Sequence, residues 1–158
     1  MVSTALLKQF EFCNGMTDEQ LENLASIATL ETHHPDTMIY RIGEPATKFY
    51  FISKGKVAMV MDSNLGPHRP PMQVNVDFLA GGEVMGWSAL IEPHIYTLGG
   101  LCVLKTEVIA FEAELIRRMI DDDCSLGLKI MRSTAKIIAK RLQHFRILLV
   151  GERALYFV

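Results

Sequence analysis

Short apolar runs broken by turn residues occupy the chain from Leu30 to Phe111, and both flanks carry helical spacing instead. Thr17-Asp18-Glu19-Gln20 has the form of a capping box, after which Leu21, Leu24, Ala25 and Ala28 recur on one helical face. This predicts a helix over about residues 17–28, flanked by the apolar Phe10, Phe12 and Met16. Strands are expected at Met38–Ile42, ahead of Gly43-Glu44-Pro45, at Phe49–Ile52, ahead of Lys54-Gly55, and at Val57–Met61. Gln73–Phe78 alternates polar with apolar residues and reads as a half-exposed strand. Between them, Leu65-Gly66-Pro67-His68-Arg69-Pro70-Pro71 reads as a loop, because its prolines cannot donate to a ladder. Many short strands separated by turns predict an all-β roll, sandwich or barrel over about residues 29–111.

The last third turns helical. Leu115, Ile116, Met119 and Ile120 make one helix over about residues 112–120, and Asp121-Asp122-Asp123 places negative charge where a second helix, about 123–150, would start. Within it Leu128, Met131, Ala135, Ile138, Leu142, Phe145 and Leu149 are spaced alternately by three and four, a heptad seam suited to another helix. Helix-to-helix dimerisation is the expectation for this seam. Lys129, Arg132, Lys136, Lys140, Arg141 and Arg146 all fall off it, and no acidic residue occurs from Ser125 to Gly151. These cations read as a solvated face, with an anionic partner as the alternative.

Composition narrows the class. An apolar content of 49% with 22% charged residues is globular, and a net charge of −2 argues against general polyanion binding. No apolar run reaches the length of a membrane span, and Met1–Phe10 lacks the features of a signal peptide. Cys13, Cys102 and Cys124 are isolated and odd in number, which suggests neither a disulfide framework nor a zinc site and fits a reduced, cytoplasmic setting.

The order helix, β-roll, short helix, long helix resembles the cyclic-nucleotide-binding domain of the catabolite activator and FNR-type regulators. Three stretches carry the resemblance: Met38–Ala46, like the family's strand and Gly-Glu turn; Lys48–Val57, like its aromatic strand and glycine turn; and Gly82-Glu83-Val84-Met85-Gly86-Trp87-Ser88-Ala89-Leu90, where the family has its phosphate-binding cassette. The resemblance covers nearly the whole chain and implies a single domain over 1–158, a mainly β double-stranded roll (jelly roll) with an N-terminal helix and a long C-terminal dimerisation helix.

The cassette has changed chemistry. A glycine followed by a short helix points free amides at an anion, here near Ser88 and Ala89 after Gly86. The family's ribose-binding carboxylate follows that glycine, and this place holds Trp87. Its arginine and the next hydroxyl residue match Tyr96 and Thr97, and no lysine or arginine lies between Glu83 and Lys105. Its adenine-contacting pair falls on Phe145 and Arg146, after Arg141-Leu142-Gln143. A charge-assisted hydrogen bond is worth roughly 1.5–3 kcal/mol, so losing two or three would weaken binding by about two to five orders of magnitude. Ordinary cyclic AMP binding is therefore not expected. Trp87, Tyr96, Leu98 and Phe145 would instead line an aromatic cavity with Thr97, Ser88 and His94 as polar handles, for a less charged small ligand; alternatively Trp87 and Tyr96 plug the site.

Other chemistry is thin. His33-His34 cannot easily act as a metal pair, because neighbours on a strand face opposite ways. Ser88 lacks the second glycine of a nucleophile elbow. The expectation is a non-enzymatic, homodimeric sensor without a metal or defined cofactor, in which a ligand near Gly86–Ala89 and Tyr96-Thr97 shifts the long helix. No helix-turn-helix segment follows that helix within the chain, so direct DNA recognition by it is not expected. A protein-interaction module with a degenerate pocket, or the effector half of a DNA-binding regulator, are the alternatives.

Overall fold

The computed structural model describes residues 2–63 and 72–155; the expected loop Leu65–Pro71 lies outside the described residues. Strands β1 (Ala28–His33), β2 (Met38–Tyr40), β3 (Lys48–Lys54), β4 (Lys56–Ser63), β5 (Met72–Ala80), β6 (Val84–Met85), β7 (Gly99–Cys102) and β8 (Thr106–Glu112) form two antiparallel four-stranded sheets. Their orders are β1-β8-β3-β6 and β2-β7-β4-β5. Helices α1 (Thr4–Leu7), α2 (Asp18–Ser26), α3 (Ala113–Asp122) and α4 (Cys124–Leu155) flank this roll. The chain is thus a β-roll of the jelly-roll kind with a long C-terminal helix.

The capping box at α2 forms as its sequence dictates: the Thr17 hydroxyl accepts from the Gln20 amide at 3.2 Å and the Gln20 side chain accepts from the Thr17 amide at 3.1 Å. The helix ends at Ser26, and Ala28, expected within it, opens β1 opposite Phe111. Two N-terminal elements carry no strong periodicity and were not foreseen, namely α1 and a 3-10 turn at Glu11–Cys13. That turn inserts Phe12 between roll and long helix. Its ring centroid lies 5.1 Å from Phe49 and 5.3 Å from Phe51, and Ser133 of α4 donates to its carbonyl at 3.0 Å.

Strand β3 explains its own uninterrupted apolar run. Phe49 and Phe51 meet Phe12 and Phe111 on one side, while Tyr50 turns the other way to stack near Tyr40 of the second sheet. A strand buried on both faces has no polar side to show. In β5 the alternation is interrupted by a bulge: Met59 faces Asp77 and Val60 faces Asn75, so Val76 is the extra residue. Beyond it Leu79 is buried and Phe78 is 47% exposed beneath the Lys56 ammonium.

Two boundaries are corrected, one at a strand end and one at the start of the long helix. Strand β2 stops at Tyr40, because Arg41 already belongs to the turn in which its amide donates to the Glu44 carboxylate. Asp121 and Asp122 close α3 rather than opening α4; Asp123 alone caps α4, accepting from the Ser125 and Leu126 amides at 2.9 and 3.0 Å. The interior glycine of α4 has a packing reason, since a Cβ at Gly127 would sit 2.8 Å from the Ile120 carbonyl oxygen where α3 crosses.

Candidate functional site: a cavity between the roll and the long helix

Gly86 makes the turn out of β6 with φ +76, a conformation that side chains strain to adopt, and a Cβ there would lie 3.0 Å from the Lys48 carbonyl oxygen. A 3-10 turn over Trp87–Ala89 follows. It is pinned from behind by Arg117 of α3, whose guanidinium donates to the Ala89 carbonyl at 2.8 Å. The Ala89 amide is spent on the Gly86 carbonyl at 2.9 Å, so the first amides of the turn, Trp87 and Ser88, are those left for a ligand.

Opposite the turn, the segment His94–Tyr96 zips onto Gly43–Ala46. The Gly43 amide donates to Tyr96, the Tyr96 amide to Glu44, and the Ala46 amide to His94. This delivers Tyr96 into the roll, where it is 4% exposed and stacks on Tyr40 at 4.0 Å between ring centroids. Its hydroxyl donates to the Lys48 carbonyl at 2.7 Å and accepts from the Lys48 amide at 3.1 Å. Burial pushes the phenol's pKa up, partly offset by the Lys48 backbone. Tyr96 is a committed structural group, not a free handle.

Between these parts and α4 lies a cavity of about 350 Å³, walled by Tyr40, Met59, Gly86, Trp87, Ser88, Tyr96, Thr97, Leu98, Ile138, Arg141, Leu142 and Phe145. Most of the expected ligand-contacting residues are thus brought together. Three are not. Ala89 is fully buried behind the turn, Arg146 is exposed on α4 away from the cavity, and His94 lies outside the lining with its Nδ1 buried and unpartnered.

Arg141 is the residue that the sequence reading assigned elsewhere. Instead of a solvated face it occupies the wall of this cavity, its Nη2 donating to the Val84 carbonyl at 3.3 Å. It therefore restores a cation to a cassette that has none of its own. The signal was present: Arg141 lies four residues before Phe145, hence on the same helical face. Tyr40 was also missed; its hydroxyl is buried and lacks a hydrogen-bond partner, and burial pushes its pKa up while the Arg141 charge opposes that rise.

Arg141 also borders a second groove of about 410 Å³ on the far side, shared by Phe12, Asp77, Leu79, Glu83, Lys136 and Lys140 among others. Among the described residues no cluster of side chains suited to a metal ion occurs, and no helix is long and apolar enough to cross a membrane.

The predicted seam of α4 is split: Leu128, Ala135, Leu142 and Leu149 are exposed, while Met131 packs against the core and Ile138 and Phe145 turn partly toward the cavity. Helix α4 packs through Leu126, Ile130 and Thr134, each 1% exposed, whereas Leu128 is 51%, Leu142 50% and Leu149 59% exposed. Ala135 is likewise exposed, and Met131, Ile138 and Phe145 are half-buried.

Comparison with known proteins agrees with this architecture. A protein from Geobacter metallireducens GS-15, described as cyclic nucleotide-binding, superposes with a TM-score of 0.79 at 24% identity, covering 90% of this chain and 99% of its own. The catabolite activator protein of Thermus thermophilus superposes at 0.70 with 19% identity, over 90% of this chain and 62% of its own. Among curated sequences, Glutaminase 1 of Bradyrhizobium diazoefficiens is 26% identical over 141 residues, which are 88% of this chain and 21% of that protein. The chain therefore spans about one fifth of the length of the curated relative it matches. The model of the cyclic nucleotide-binding domain matches residues 30–123, and the chain belongs to that family.

Proposed function

We propose that this domain is a non-enzymatic sensor that binds a small ligand other than ordinary cyclic AMP and signals through a homodimer built on the α4 seam. One observation carries the reading. Ile138, Leu142 and Phe145 belong both to the predicted seam and to the cavity wall, so a ligand beside Trp87 touches the residues that set helix pairing. A ligand that prefers one packing of α4 shifts the dimer toward it. A cytoplasmic setting and the absence of direct DNA contact by these residues complete the proposal.

Cyclic AMP is disfavoured by the residues at its family positions: an indole replaces the ribose carboxylate at Trp87, and the Tyr96 hydroxyl is tied to Lys48. A cavity of about 350 Å³ sits at the small end of ligand pockets, which run from about 300 to 1,000 Å³.

The test is a thermal-shift titration against cyclic AMP, cyclic GMP and a metabolite panel. A ligand at 100 times its dissociation constant stabilises the fold by about 2.7 kcal/mol. A shift with a non-nucleotide alone supports the reading, a shift with cyclic AMP overturns its ligand assignment, and silence throughout favours a plugged pocket in a dimeric interaction module. Unchanged dimer geometry and affinity in Phe145→Ala would remove the coupling.

A further inference from the structure

Two side chains of the cassette cavity, Tyr40 and Arg141, carry polar groups that the folded chain leaves largely unpaired. Tyr40 is 4% exposed, its hydroxyl has no hydrogen-bond partner, and it borders the cavity. A buried hydroxyl without a partner costs stability in the empty protein. Arg141 is half-buried, and among the described residues its fork makes one hydrogen bond, the 3.3 Å contact with Val84, and no ion pair. Three carboxylates share the neighbouring groove with it and none of them ion-pairs with it: Glu11, Asp77, which accepts from the Phe78 amide and faces His144, and Glu83, which accepts from the Ala80 amide. A partly desolvated guanidinium with no anion beside it calls for one.

Accepting the ligand-sensing reading on which this rests, we infer that Arg141 and Tyr40 are the anion anchor of the cavity, and that its ligand is a small apolar or aromatic monocarboxylate. The two oxygens of a carboxylate match the guanidinium fork, with the Tyr40 hydroxyl as a further donor. Much of the remaining wall, Trp87, Leu98, Leu142 and Phe145, suits an apolar body, and the Ser88 and Thr97 hydroxyls are its other side-chain polar groups. The positive charge has thus moved from the cassette strand to the long helix. A ligand held by it pulls directly on the element that carries the seam.

Trp87 is the only tryptophan of the chain and lines this cavity, so its fluorescence reports occupancy of this site. The experiment titrates the full chain with phenylacetate, 3-phenylpropionate and 4-phenylbutyrate and with the three matching primary amides, which keep the shape and lose the charge. At least one acid is expected to perturb Trp87 saturably and to bind about tenfold or more tightly than its amide. Tyr40→Phe and Arg141→Met should each erase that preference, and Arg141→Lys should retain part of it. Tyr40→Phe should also leave the empty protein as stable as before or more so, which a purely structural tyrosine would not do.

Equal binding of acid and amide, or a preference that survives both variants, overturns the anchor while leaving the sensor reading intact. Silence of Trp87 to all six compounds also overturns the anchor, and the sensor reading falls with it only if the thermal-shift panel is silent too.

Discussion

The Tyr96 hydroxyl both donates to and accepts from the backbone of Lys48, at 2.7 and 3.1 Å, and so ties the segment that follows the cassette to the start of β3. Tyr96→Phe removes both bonds and leaves the Lys48 amide and carbonyl short of a partner. A loss of about 1–3 kcal/mol is expected on urea unfolding. A loss of only a few tenths would mean that the tie contributes nothing.

Gly86 sits where both backbone and neighbours refuse a side chain. Gly86→Ala must hold φ near +76 with its methyl 3.0 Å from the Lys48 oxygen. The expected cost is about 1–3 kcal/mol in equilibrium unfolding, with a shifted Trp87 emission maximum because the turn that carries the indole moves.

The three thiols should separate cleanly. Cys13 is buried, its pKa pushed up to about 12 by desolvation, and the buried Cys102 is raised as well, again by desolvation first. Cys124 is exposed. Thiolate is the reactive form, so Ellman's reagent should modify one thiol per native chain at neutral pH and all three after denaturation. Two fast native thiols would contradict the packing around Cys13 or Cys102.

Dimer formation through the seam predicts that charge placed on it breaks assembly without unfolding the chain. Leu128→Lys and Leu149→Lys change residues that are 51% and 59% exposed and lie outside the cavity lining. Light scattering should show the double variant at half the wild-type mass, with its circular dichroism retained. A wild-type monomer at high concentration would dismiss the seam as an interface.

Asp123 gives the fold an acid limb. The Gln20 amide, then the Leu126 amide, hold its carboxyl below the ordinary carboxylate value. A depressed folded-state value means that the stabilisation is present above the unfolded value, near pH 4, and is lost as pH falls through the folded one. Melting temperature should therefore drop below about pH 4, and Asp123→Asn should flatten that limb. A variant whose acid limb matched wild type would assign the loss to other carboxylates.

Sequence and fold agree most closely where one residue's neighbours in the chain decide its role. The Thr17–Gln20 box, the Gly86 turn and the long helix α4 each rest on local spacing, and each is in place. The bulge at Val76 and the entry of Phe12 beneath α4 are contacts between distant segments, invisible to local periodicity.

By itself, then, the sequence determined a run of short strands followed by a long helix with a heptad pattern, because these follow from periodicity, while its resemblance to the cyclic-nucleotide-binding family pointed to the β-roll and to a cassette without its own cation. Only the tertiary structure decided that Tyr96 is spent on Lys48, that Tyr40 keeps a bare hydroxyl, and that Arg141 returns charge to the cavity from another element. The physical reason is that a side chain's chemistry depends on who desolvates and who pairs with it, and those partners lie dozens of residues away along the chain.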